Sequence, residues 1–228
     1  MKTNKRPRSI VLKRLFCIAL AIIAVIGMTV ISAQAAPAKS DIKTVLNNLK
    51  LEPKSTGNSK YDAKLQSIVG TGSTYDRVLR GYTWLAKTMV YEKLSPVDTT
   101  GDYWLDIAYG PLFTQRGSCS SSSAAMYYML RYIGVPNVLR VEGTIINRNG
   151  LPQYHMWIVV VLNGVGYVVD AEVEGKVYKR QGGDMRYLYF FAKPLSWGSS
   201  PTYIPTRILF EKGSKLRHLS MVVFGLHR

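Results

Sequence analysis

One cysteine, one histidine and one aspartate are the residues of this sequence that could together carry covalent chemistry. Of its two cysteines, Cys17 lies in an apolar N-terminal run that has the form of a cleaved signal peptide, which would leave Cys119 alone. A lone thiol in an exported protein cannot form an internal disulfide, so it is idle, pairs with another chain or acts as a nucleophile. His155 and Asp170 follow Cys119 along the chain. In such a set the thiol attacks, the imidazole transfers the proton and the carboxylate orients the imidazole.

Cys119 is predicted to begin a helix. It follows Arg116-Gly117-Ser118 and precedes a run of small residues from Ser120 to Ala125. Apolar residues then recur at helical spacing and define a buried stripe: Met126, Met129, Leu130 and Ile133. Gly134-Val135-Pro136 ends the helix. Counting back at the same spacing places Cys119 on this stripe in the first turn, where free N–H groups and the helix dipole favour an anion such as a thiolate.

Strands are predicted after this helix, because the apolar period changes to two over residues 138–146, 154–162 and 165–173. Asn163-Gly164, between the last two, is a strong hairpin signal. The hairpin also predicts which side chains share a face of the sheet.

The predicted register places the candidate base beside two carboxylates. With the residues that flank the turn paired, His155 lies opposite Glu172 and Trp157 lies opposite Asp170. Side chains alternate along a strand, so all four share one face. His155 and Asp170 are then diagonal neighbours with backbones about 7–8 Å apart, a gap that two side chains can close. Asp170 is the predicted orienter, and Glu172 is the alternative on the same geometry.

As a set, these motifs resemble the transglutaminase-like superfamily over residues 74–172. The motifs are Arg116-Gly117-Ser118-Cys119, Gly134-Val135-Pro136, Val141-Glu142-Gly143, His155-Met156-Trp157 and Tyr167-Val168-Val169-Asp170. A predicted helix at 75–91 matches the upstream helix of the family, and the order Cys, His, Asp also matches. The resemblance implies an α+β, papain-like fold in which the cysteine-bearing helix packs on an antiparallel β-sheet.

The chemistry that the resemblance implies is thiol-dependent acyl transfer or amide hydrolysis on a protein or peptide substrate. Cys119 would be the nucleophile, His155 the base and acid, and Asp170 the orienter. The backbone N–H of Cys119 is the expected oxyanion donor, because it lies at a helix start. Further candidates for the oxyanion site or the cleft are Gln115, Trp104 and Trp157. We expect no cofactor and no metal, since three scattered histidines and one cysteine have no ligand spacing.

The N-terminus is predicted to direct export. Residues 2–14 are basic, residues 15–31 are apolar, and Ala33-Gln34-Ala35 has the form of a signal-peptidase site. Cleavage near Ala35 would yield a secreted or cell-envelope protein, and an uncleaved segment would be a membrane anchor. The remaining chain has 24 basic and 14 acidic residues, a charge of +10, which fits either an anionic neighbour, such as wall polymer or lipid head groups, or an ordinary basic surface. Export and the lack of a binding motif exclude nucleic acid.

The predicted organisation has three parts: a signal peptide at 1–35, an N-terminal linker and helical arm at 36–72, and a transglutaminase-like domain at 73–228. A weak helical pattern covers 41–51, and a stronger helix begins at Ser73-Thr74. Residues 96–102 are predicted to form a turn. The C-terminal segment predicts strands at 187–192, 202–210 and 219–224, and a loop at 194–205.

Three other kinds of protein compete with this interpretation. Arylamine N-acetyltransferases share the order Cys, His, Asp, but they use acetyl-coenzyme A inside cells. Wall-cleaving peptidases of the NlpC/P60 type suit a secreted basic protein, but they lack the tryptophan after the histidine and the hairpin aspartate. A non-catalytic cell-surface or wall-binding domain with a vestigial triad is the alternative from another functional class.

Overall fold

A computed structural model of the protein describes residues 39–92, 103–147, 149–192 and 202–210. The predicted signal peptide with Cys17, the turn at 96–102, most of the loop at 194–205 and the strand at 219–224 lie outside the described residues. No helix in the described part of the chain is long and apolar enough to cross a membrane. The predicted domain boundaries stay predictions.

The helices largely follow the sequence signals. In the described ranges they are α1 (Lys39–Asn47), α2 (Ser59–Val69), α3 (Thr74–Thr88), α4 (Trp104–Tyr109), α5 (Cys119–Ile133) and α6 (Ala171–Arg180). A π-helical turn, Gly110–Thr114, follows α4. The starts of α3 and α5 agree with prediction, and the hydroxyl of Ser73 caps α3 by accepting a hydrogen bond from the N–H of Asp76 at 3.2 Å. Sequence analysis missed α2, whose cap is Asn58.

The strands form one small pair and one larger sheet: β1 (Val90–Tyr91), β2 (Arg116–Gly117), β3 (Val138–Ile146), β4 (Pro152–Leu162), β5 (Val165–Val169) and β6 (Thr202–Leu209). β1 and β2 pair in parallel. The larger sheet has the order β5-β4-β3-β6, and its neighbours are all antiparallel. The predicted strand at 187–192 is wrong, because only an isolated bridge joins Ala192 to Val168.

The hairpin register is confirmed, but the third strand ends earlier than predicted. Leu162 pairs with Val165, as expected, and β5 stops at Val169 instead of residue 173. Asp170 caps α6, since its Oδ1 accepts hydrogen bonds from the N–H groups of Glu172 and Val173 at 3.2 and 3.1 Å. Acidic residues in the first turn and basic residues in the last favour that helix through its dipole. A cap and this charge pattern outweigh the apolar alternation.

Helix α5 packs on one face of the larger sheet, as the fold class predicts. The predicted stripe from Met126 to Ile133 is buried in the same core cluster as Met156, Ile158 and Val160 of β4. The alternate residues of β4 belong to a second cluster with β6, which contains Trp157, Val159 and Val161. The α+β prediction, with the cysteine helix against an antiparallel sheet, is therefore confirmed.

Gly134 ends α5 for a steric reason. Its φ is +101°, in the left-handed region that other residues rarely adopt. A Cβ at this position would also lie 2.7 Å from the backbone N of Pro53. The loop before α2 therefore packs directly on the end of the cysteine helix, and the N–H of Glu52 donates to the Gly134 carbonyl at 2.9 Å.

Candidate active site

Cys119 is the first residue of α5 and is nearly buried, with 7% of its surface exposed. Ser118 has an extended backbone and acts as the N-cap. The N–H of Ser118 donates to the hydroxyl of Ser121 at 2.7 Å, which fixes the first turn. The sulfur therefore lies where unpaired helix N–H groups and the positive end of the helix dipole meet.

His155 and Asp170 form a buried pair. Nε2 of His155 lies 2.6 Å from Oδ2 of Asp170. The same Oδ2 accepts a hydrogen bond from the Tyr203 hydroxyl at 2.7 Å. Because Oδ1 accepts the two N–H groups at the start of α6, both oxygens of Asp170 are held in place. An ionised carboxylate can only accept hydrogen bonds, so Nε2 carries the proton.

The Cys119 thiol is the third member of this group. Its side chain lies close enough to the imidazole to help raise the pKa of His155. Asp170 occupies Nε2, so Nδ1 is the ring nitrogen left for the sulfur. The structure thus brings together the three residues that the sequence predicted, in the order thiol, imidazole, carboxylate.

Electrostatics favour the charged forms of the pair. Burial opposes a charge on His155, but the negative charge of Asp170, the hydrogen bond that Asp170 accepts from the ring and the side chain of Cys119 raise its pKa. Burial also opposes a charge on Asp170, yet His155, the Tyr203 hydroxyl and the N–H of Val173 lower its pKa. The imidazole can therefore hold a proton for transfer while the carboxylate stays ionised.

Comparison with known proteins agrees with the predicted resemblance. Residues 61–170 match the model of the transglutaminase-like superfamily. These residues form a transglutaminase-like domain. The match begins before the predicted residue 74 and ends at Asp170 itself. It agrees with the superfamily that the sequence motifs resemble.

Similarity to individual proteins is more distant. A solved structure of a candidate cysteine protease from Cytophaga hutchinsonii is 19% identical with a TM-score of 0.41. The match covers 59% of this chain and 43% of that one, so it spans less than half of that protein's length. A search of curated proteins finds no match.

Asp170, rather than Glu172, holds the histidine of the transglutaminase-like domain. Glu172 lies in the first turn of α6 instead of on the strand, and its Oε1 is 2.7 Å from the Nζ of Lys176. Burial raises the pKa of Glu172, although His155 and Lys176 partly offset the increase. The alternative orienter is therefore a buried neighbour of the pair, not the partner of the imidazole.

His155, Asp170 and Glu172 could also be considered as metal ligands. One donor atom of each lies within 4.8 Å of the others, and all three residues are buried. However, His155 Nε2 and Asp170 Oδ2 are already hydrogen bonded to each other, and Oδ2 also accepts a hydrogen bond from the Tyr203 hydroxyl. A cation there would have to break that hydrogen bond, so the geometry fits an orienting pair better. The expectation of a metal-free site stays a prediction.

The remaining sequence candidates occupy different places. Trp157 is buried and stacks on the His155 ring, with ring centroids 6.0 Å apart and planes 16° apart, so it supports the imidazole. Trp104 is buried against Tyr127 with centroids 5.0 Å apart. Gln115 is exposed, has a φ of 58°, and its carbonyl accepts a hydrogen bond from β1 at 2.7 Å. Their roles in an oxyanion site stay predictions.

Tyr203 is the contact that sequence analysis missed. It lies on β6, more than 30 residues beyond the matched family segment, and pairs with Ile145 across the sheet. Alternation predicted the strand, but no local signal joins its tyrosine to Asp170. Only the pairing of β6 with β3 brings the hydroxyl to the carboxylate.

Proposed function

We propose that this protein is a thiol-dependent enzyme that cleaves or transfers acyl groups of protein or peptide amides, with Cys119, His155 and Asp170 as its catalytic groups. The observation that carries the proposal is the arrangement of a helix-start thiol and a buried carboxylate on one imidazole. A base and its orienter within hydrogen-bond reach of the nucleophile are the recurring geometry of covalent acyl transfer.

The proposed reaction has two halves. The Cys119 sulfur attacks the amide carbon, the proton on His155 passes to the departing nitrogen, and the C–N bond breaks to leave a thioester. Water or a second amine then gives a proton to His155 and attacks the thioester carbon. The C–S bond breaks, and the thiolate and imidazolium are restored. Asp170 keeps the ring oriented throughout both halves.

The oxyanion of each tetrahedral intermediate needs donors near the sulfur. The N–H of Cys119 is at the first position of α5, where no preceding helical carbonyl is available to it. We propose this N–H as one donor, since it adjoins the carbon under attack and the helix dipole adds to it.

We further propose that the enzyme acts outside the cell or in the envelope. The signal-like N-terminus and the basic charge of the remaining chain support export toward anionic surroundings, such as wall polymer. A peptide or protein amide in that compartment is the proposed substrate class.

Iodoacetamide alkylation tests the nucleophile. We expect the protein to alkylate much faster than a free cysteine at neutral pH, with Cys119→Ala unreactive and His155→Gln slowed by about 10²-fold, the usual contribution of a positioned base. Tyr132→Phe, which removes a hydroxyl near the far end of α5 that contacts Gln66, serves as the control for nonspecific effects. Slow alkylation that does not depend on His155 would instead favour the non-catalytic binding domain.

The acyl acceptor needs a separate assay. Ammonia release from glutamine peptides without an added amine indicates hydrolysis, and release that requires an amine indicates cross-linking. Cleavage of a peptide bond without ammonia release indicates a protease.

A further inference from the structure

Arg140 is a fully buried cation beside the cysteine helix. It lies on β3, and none of its surface is exposed. Its Nη2 donates to the carbonyl of Ser120 at 3.0 Å and lies 3.3 Å from the hydroxyl of Ser123. On the other side, the guanidinium carbon lies 4.5 Å from the centre of the Trp104 ring. The sequence candidate Trp104 thus packs against this cation.

Within the described residues, this guanidinium has no carboxylate partner of the kind that a buried cation usually has. Among the ion pairs of the described residues, none includes Arg140, and its Nη1 has no hydrogen-bond partner there. Burial lowers the pKa of Arg140 to about 10, so it remains charged at neutral pH. A buried charge without an opposite charge is costly, so an anion must be sought among its neighbours.

After burial, which lowers the pKa of Arg140, the titratable groups that raise it are, in decreasing order of effect, Tyr128, Tyr127, Tyr154 and Cys119. A thiol ionises more readily than a phenol, at about 8.5 against about 10 in free residues. Cys119 and Ser123 are also four residues apart on α5, so they lie on one face of the helix about 5–6 Å apart. The contacts with Ser120 and Ser123 therefore place the cation against the first turns of the helix that begins with the cysteine.

We propose that Arg140 is a positioning residue that stabilises the thiolate of Cys119 through its buried charge and holds the first turn of α5 through Ser120 and Ser123. This inference rests on the proposed function, because it concerns the same nucleophile. It adds a second cation, supplied by β3, to the imidazolium supplied by β4.

Other groups near the sulfur are compatible with this assignment. Tyr91 of β1 and Tyr154 of β4 both interact with Cys119, and burial raises the pKa of each phenol, so both are neutral at neutral pH. Glu172 and Lys176 of α6 form a pair of their own. His155 and Arg140 are the two cations that we assign to offset a negative sulfur.

The test is the pH profile of iodoacetamide alkylation in charge-changing variants. In the full chain, Arg140→Met and Arg140→Gln remove the charge, and Arg140→Lys keeps it. We expect the midpoint of the profile to rise by about one pH unit in both neutral variants, with about tenfold slower alkylation below the midpoint and an unchanged plateau. Arg140→Lys should stay near the original midpoint.

Arg116→Met is the matched control. Arg116 is close to Cys119 along the chain, but it is exposed and pairs with Glu92. Solvent screens such a charge, so the midpoint should move by less than about 0.2 units. Near-ultraviolet circular dichroism identifies the folded variants, and a buried charge replaced by methionine often leaves stability unchanged or higher.

The outcomes separate this inference from the proposed function. An unchanged midpoint in the folded neutral variants, or an equal shift in folded Arg140→Lys, overturns the role of the Arg140 charge while leaving the nucleophile in place. Slow alkylation of the unmodified protein that does not depend on His155 overturns the proposed function and this inference with it.

Discussion

Replacing Tyr203 with phenylalanine tests whether the ionised Asp170 is the centre of the site. The change removes one hydroxyl that donates to Asp170 Oδ2 at 2.7 Å and leaves the ring contacts with His155 and Trp157. A hydrogen bond to a charged group contributes about 1.5–3 kcal/mol. We therefore expect the free energy of unfolding at pH 7 to fall by about that amount, a decrease in Tm of roughly 3–10 °C for a chain of this size.

The pH dependence of this loss is the sharper part of the prediction. The pKa of Asp170 is lowered in the folded state from 3.8, so the stability that its ionised form contributes is present above that value and is lost as the pH falls through the lower, folded pKa. The Tyr203 hydroxyl is one cause of the lowering. The penalty of Tyr203→Phe should therefore shrink as the pH falls below about 4.

Urea unfolding at several pH values measures both effects, and Tyr132→Phe is the control. The Tyr132 hydroxyl donates to the neutral amide oxygen of Gln66 at 3.3 Å, so its loss should cost only about 0.5–1.5 kcal/mol and should not vary with pH. The alkylation rate should also fall in Tyr203→Phe, because Asp170 then orients His155 less firmly. Equal, pH-independent losses in the two variants would refute the argument.

Two further substitutions test the surroundings of the site. Gly134→Ala should lower the unfolding free energy by more than about 1 kcal/mol, because the residue has a left-handed φ and the new Cβ would meet the backbone of Pro53. Thermal unfolding of the variant and the wild type measures this loss. An unchanged Tm would contradict the prediction. Lys176→Met should cost about 1 kcal/mol at pH 7, because the half-exposed Lys176 is the partner of buried Glu172. The pKa of Glu172 is raised above 4.5, so Glu172 loses its charge as the pH falls toward 4.5, and the stability lost in Lys176→Met should then decrease. A loss of stability that grows in acid would contradict the pairing of Lys176 with Glu172.

The ion pair itself should give the site a broad pH range. The pKa of His155 is raised from 6.5 to about 10, so the charged imidazole contributes stability that is fully present below 6.5 and is lost as the pH rises toward 10. The ionised carboxylate of Asp170 contributes stability that is present above its unfolded pKa of 3.8. Both contributions are therefore present together from about pH 4 to pH 6.5.

Local sequence signals predicted the parts of the site that short-range geometry controls. The small residues after Ser118 and the glycine at 134 defined both ends of the cysteine helix. Asn163-Gly164 defined the hairpin, and its register put His155 and Trp157 on one face, where their rings stack. These predictions succeeded because a helix start and a two-residue turn depend on neighbouring residues.

The extent of the last strand was wrong because two local signals conflict there. Apolar alternation continues past Val169, while Asp170 and the acidic residues after it favour a helix start. The helix prevails, since the Asp170 carboxylate caps two N–H groups and faces His155 with its other oxygen. Asp170 was thus predicted to lie beside His155, although the predicted strand was too long.

The sequence by itself determined the helix that begins at Cys119 and the hairpin that carries His155, because each depends on residues within a few positions of one another. Tertiary structure alone decided that Tyr203 of β6 donates to Asp170 and that Arg140 of β3 is buried beside Ser120 and Ser123. Those contacts join residues 17 to 33 positions apart. These contacts arise from the pairing of the strands and from the packing of α5 on the sheet. No local sequence pattern encodes either of these tertiary arrangements.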